Sequence, residues 1–142
     1  METQLTTTEI NAKQQQLQDY QPAQPALALL AQNQGRLDTT FDQLWAEKTG
    51  QMYDPSQPKS VWQITLNVLR QELCGDESFR TKVKEYTKNP GSTPLLTGLI
   101  VSLVGLAGLP IDPAIATVIV LYIIKVGLNV FCEYTQPVDE AK

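Results

Sequence analysis

Residues 95–131 constrain this chain more than any other feature, because their only charged side chains are Asp112 and Lys125. A helix that is apolar on every side must be buried, either in lipid or in protein. The punctuation of the stretch reads as two helices. Thr93 is the candidate N-cap of the first, and Pro94 stands at the first helical position, where its missing N–H is harmless. That helix runs through LLTGLIVSLVGLAGL and stops before Pro110. Asp112 is the expected cap of the second, Pro113 repeats the first-position device, and AIATVIVLYIIKVGLNVFC carries the helix to Cys132. The intervening turn, residues 110–113, is short enough to impose an antiparallel pair.

Length ties this hairpin to a bilayer. At about 1.5 Å per residue the first helix is roughly 24–26 Å long and the second about 30 Å. A hydrocarbon core of about 30 Å is matched by the second and nearly by the first. Gly98, Ser102 and Gly105 form a ridge of small residues, with Ala116, Val120 and Gly127 as a facing surface. Such ridges let backbones approach in lipid, where apolarity gives no drive to associate. Lys125 has two readings. It snorkels to the interface along its own stem, or it faces a lumen or a neighbouring subunit. Arg80, Lys82, Lys84 and Lys88 precede the hairpin closely, so both chain ends are expected on the cytoplasmic side.

The rest of the chain reads as helical cover. Residues 1–25 are a Gln-rich segment, flexible or weakly helical, in which Ile10, Leu17 and Tyr20 make a thin stripe. Residues 26–90 are expected to form an amphipathic cytosolic module. Within it, ALALLA at 26–31 is one helix, ended by Gly35, and Asp38 or Thr39 caps a second. Phe41, Leu44 and Trp45 lie on one side of that second helix and are a candidate face for a protein partner. The two prolines of 51–59 mark a loop, and Ser60 opens a third helix with Trp62, Leu66, Leu69 and Leu73 in register, widened by Val61, Ile64 and Val68. Asp76 caps a fourth, carrying Phe79, Val83 and Tyr86. A flexible acidic tail occupies 133–142. No strand alternation appears, so the fold class is all-α: amphipathic helices followed by a strongly hydrophobic antiparallel hairpin.

Several chemistries lack their residues. There is no histidine, which removes His-dependent triads and His-containing zinc sites. No CxxC pair, GxxxxGK[ST] loop or GxGxxG turn occurs. Neither an enzyme nor a cofactor is expected. The net charge of −4 gives no basic footprint for nucleic acid. Residues 1–20 lack the apolar core of a signal peptide. Cys74 and Cys132 make no disulfide framework, and two small thiols in a reducing setting are expected.

Three functions fit these features. The hairpin inserts, self-associates and permeabilises a bilayer; or it tethers an adaptor whose N-terminal helices bind a partner; or it is the core or dimer interface of a soluble all-α interaction domain, cytoplasmic in location. The first is similar in architecture to colicin-type pore-forming domains, which also sheathe an apolar hairpin in amphipathic helices. No sequence motif carries that likeness.

Overall fold

The computed structural model describes residues 4–50 and 61–134. The protein is all-α, with no strand among these residues beyond an isolated bridge between Gln4 and Arg36. In chain order the helices are α1 (Thr7–Gln16), α2 (Gln24–Gln32), α3 (Leu37–Thr49), α4 (Val61–Leu73), α5 (Glu77–Lys88), α6 (Thr93–Leu103), α7 (Pro113–Val126) and α8 (Leu128–Tyr134). The loop read at 51–59, Ser60 as a helix opener and the tail from 135 onward lie outside the described residues.

α7 is the axis of the molecule. Every residue from Ala114 to Ile123 is buried, so the helix has no solvent side. α2, α3, α6, α8 and the 3-10 turn Gln21–Ala23 pack against it, while α4 lies on α3 and α5 on α6. The arrangement follows from the residues. α2, α3, α4 and α5 each supply an apolar stripe, and α7 supplies an apolar surface all round. Each stripe removed from water contributes about 25 cal/mol per Å².

Local signals set most of the helix starts. Asp112 Oδ1 accepts from Ile115 N at 2.9 Å with Pro113 in the first turn, and Asp76 Oδ1 accepts from Ser78 N and Phe79 N at 2.9 and 3.2 Å. α1 begins with a capping box, in which Thr6 Oγ1 accepts from Glu9 N and the Glu9 carboxylate accepts from Thr6 N. Two caps differ from the sequence reading. Ser92, not Thr93, precedes α6 and accepts from Leu95 N, which frees the Thr93 hydroxyl to donate to Gln16 O across the bundle. Arg36 precedes α3, because Leu37 is drawn into the core and starts the helix one residue before Asp38.

The apolar helices are shorter than their composition suggests. α6 ends at Leu103 after 11 residues and α7 at Val126 after 14, so they measure about 16 and 21 Å. Glycine is the reason in both. Gly105 takes φ +70° and donates to Ile111 O at 3.0 Å, turning the chain into the 3-10 turn Leu106–Gly108. Gly127 takes φ +90° and separates α7 from α8. L side chains resist that region of backbone space, and glycine enters it freely. No helix among the described residues is long and apolar enough to cross a membrane.

Candidate functional site: a sheathed apolar helix and its fastenings

The region with the most unusual chemistry is α7 itself, together with what holds other helices against it. Its buried threonine, Thr117, donates to Pro113 O at 2.7 Å and so turns its hydroxyl back onto its own helix. Tyr122 stands edge-on between Trp62 of α4 at 5.0 Å and Phe131 of α8 at 6.3 Å, ring centre to ring centre. Phe41 continues the column, 5.2 Å from Trp62 and 5.6 Å from Trp45. Five aromatic rings thus link α3, α4, α7 and α8, in geometries worth about 0.5–1.5 kcal/mol a pair beyond burial.

This column corrects one expectation. Phe41 and Leu44 are buried and Trp45 half-buried, so the face expected to meet a partner is turned inward. Spacing identifies an apolar face but not what covers it. The stripe on α4 is also narrower than read, since Ile64 is 49 % exposed.

Asp42 lies within this layer. Its Oδ1 is buried with no hydrogen-bond partner, as is Trp45 Nε1. Burial, and then the nearby Asp38 charge, push its carboxyl up to about 6, while the Trp62 backbone N–H pulls the other way.

A polar fastening joins α1 to the end of α7. Lys125 Nζ donates to both oxygens of Glu9, at 2.9 and 3.0 Å. In this conformation Lys125 therefore neither snorkels nor faces a lumen. The Glu9 carboxyl is held below the usual range, first by the Thr6 backbone N–H; burial opposes this, and the hydrogen bond and charge of Lys125 add to the lowering. The far end of α1 is fixed as well. Lys13 Nζ donates to Tyr86 OH at 2.6 Å, and Gln16 Nε2 to Pro90 O at 3.0 Å. The segment expected to be flexible or weakly helical thus holds a capped helix bonded at both ends.

The second fastening is covalent. Cys74, just past α4, and Cys132 in α8 form a disulfide across a sequence separation of 58, with Cα atoms 5.9 Å apart. This overturns the expectation of two thiols. A lone pair of cysteines has no spacing that announces pairing, and only the fold brings them together. Arg80 Nε donates to the Cys74 carbonyl at 2.7 Å, and its guanidinium reaches within 4.0 Å of Cys132 Sγ.

The small-residue ridge serves no close helix contact here. A Cβ placed on Gly98, Gly105 or Gly127 would meet nothing within 4 Å. Ser102 Oγ donates to Gly98 O at 2.8 Å and accepts from Lys82 Nζ at 3.0 Å, so this side of α6 looks toward α5 and solvent. Ala116 and Val120, the facing surface read for it, are buried within the bundle. Pro94 sits in the first turn of α6, at the exposed end. Among the described residues no acidic or cysteine side chains group as metal ligands. Glu9 was missed by sequence reasoning, since its partner lies 116 residues away. The chain matches no family model, no curated protein and no solved structure.

Proposed function

We propose that this protein is a non-enzymatic, membrane-associated effector held in a closed form, in which α1–α5 cover the apolar helices until they are released to insert, self-associate and permeabilise a bilayer. The observation that carries this reading is α7, a helix buried on every side over residues 114–123. The breaks at Gly105 and Gly127 support it. Were Gly105, Gly108 and Gly127 all to adopt helical φ, residues 94–109 and 113–132 would make rods of about 24 and 30 Å, near the thickness of the hydrocarbon core. The open space at Gly98, Gly105 and Gly127 would then be available for close packing between copies. Lys125, parted from Glu9, would face a lumen or a neighbouring subunit. The basic flank on α5 favours chain ends on the cytoplasmic side.

Dye release from lipid vesicles tests the proposal, with the disulfide intact and after reduction by a dithiol. Release that is abolished by Gly98→Leu with Ser102→Leu is the expected result. Vesicles that stay sealed at high protein load under both conditions overturn it.

A soluble all-α interaction domain is the second reading, favoured by the complete covering of α7. Recovery of the protein in the aqueous fraction under every condition, with no vesicle association, would select it. The tethered-adaptor alternative loses its docking face with the burial of Phe41 and Leu44.

A further inference from the structure

α5 carries a basic groove, and of its three cations only Arg80 takes part in the fastenings described above. Arg80, Lys84 and Lys88 recur at every fourth residue along one flank of the helix, opposite Leu128 and Asn129 at the start of α8. The groove is open, with a volume of about 530 Å³, a floor that includes Val83, and Thr81 and Thr87 among its walls. Among the described residues Glu77 is its only acidic lining side chain, so three cations stand there against one carboxylate in a chain whose net charge is −4. Lys84 and Lys88 are exposed and have no ion-pair partner among the described residues. Arg80 is partly committed to the Cys74 carbonyl, which fixes its position in the groove.

The surroundings narrow the partner. α8, which forms one wall, exposes Val130 by 44 %, and α6, which packs on α5, exposes Val101 by 58 % and is followed by Val104, 42 % exposed. Unpaired cations on a helix whose neighbouring helices expose aliphatic side chains, Val130 directly following Asn129 of the groove wall, suit a surface that is anionic at the headgroup and apolar just beneath. Nucleic acid fits less well. From Arg80 to Lys88 the track is only about 12 Å long, and its described lining residues include no aromatic ring for base stacking.

We infer that the α5–α8 groove docks the protein on an anionic lipid surface, with Lys84 and Lys88 on headgroup phosphates and Val130 at the apolar boundary. The inference rests on the membrane reading above and adds to it the class of lipid and the residues that meet it.

The test is flotation of the full chain with vesicles of phosphatidylcholine alone and of phosphatidylcholine mixed with phosphatidylglycerol. Binding is expected only to the mixed vesicles and should weaken as ionic strength rises. Lys84→Gln with Lys88→Gln should lower partitioning about thirtyfold, at roughly 1 kcal/mol per cation near the surface. Arg36→Gln with Lys48→Gln changes the net charge equally, away from the groove, and should leave binding unchanged. Thermal melts of both double variants check that the exposed substitutions leave the fold intact. Equal binding to neutral vesicles, full binding by the Lys84/Lys88 variant, or displacement by inorganic phosphate at matched ionic strength overturns the inference. So does tighter binding to a duplex oligonucleotide than to the mixed vesicles. Binding that follows the groove but releases no dye defeats the effector reading alone. Dye release that survives with the groove neutralised defeats the docking site alone.

Discussion

Replacing Cys74 and Cys132 together by alanine should cost this protein about 4 kcal/mol of stability. The figure follows from the loop the bond closes. For a sequence separation of 58, the chain-entropy relation puts the entropy withheld from the unfolded ensemble at about 14 cal/mol/K, or about 4 kcal/mol at room temperature. An unfolding entropy near 2.1 cal/mol/K per residue over 142 residues then converts the loss to a fall in Tm of about 14 °C. In urea, at about 2 kcal/mol per molar, the midpoint should drop by about 2 M. The assay is thermal and urea unfolding followed by circular dichroism, on the oxidised protein, the dithiol-reduced protein and the double variant. The last two should agree within a few degrees and lie well below the first. Thiol counting on the native protein without reductant should find none. Two titratable thiols in the folded protein, or a reduced protein that melts with the oxidised one, would refute the reasoning.

Three further outcomes are expected. Asp42→Asn should raise Tm at pH 8, with the gain gone by about pH 4. The folded-state carboxyl titrates near 6 against 3.8 for the free side chain, so protonation favours the fold and the penalty grows as pH rises through 6; melts at several pH values check the sign. Glu9 runs the other way: its lowered value adds stability above its free value of 4.5, lost as pH falls through the folded one. A double-mutant cycle of Glu9→Gln with Lys125→Met should give a coupling under about 1 kcal/mol near neutrality, vanishing in acid, because the pair is partly exposed. Phe41→Ala should destabilise the isolated protein by about 3–5 kcal/mol in urea unfolding, and a loss under 1 kcal/mol would mean that its side chain is not enclosed between α3 and α4.

What could be read from residues alone was local. Asp76 and Asp112 act on N–H groups two or three positions along the chain, and the stripe of Phe79, Val83 and Tyr86 repeats within one helix. Pattern is sufficient for such features. The helix breaks at the glycines were not legible because the same residue has two uses. In an apolar run Gly105 and Gly127 look like packing notches, whereas positive φ makes them terminators, and no neighbouring residue distinguishes the two. Contacts spanning the chain were invisible for a different reason. Glu9 with Lys125, and Cys74 with Cys132, meet only because α7 gathers the other helices round itself. The direction of the Phe41 face was undecided on the same ground, since an apolar stripe is equally suited to a partner's surface and to α4.

The cross-link also partitions the molecule by topology. Between Cys74 and Cys132 the backbone forms a covalent ring that holds α5, α6 and α7, while α1, α2, α3 and α4 lie wholly outside it. The outer four can be withdrawn by breaking only weak bonds, the Glu9–Lys125 pair among them. The enclosed three travel together, with their two ends pinned 5.9 Å apart, so any excursion of α7 carries α5 and α6 along as a closed lasso until the sulfur–sulfur bond is cut.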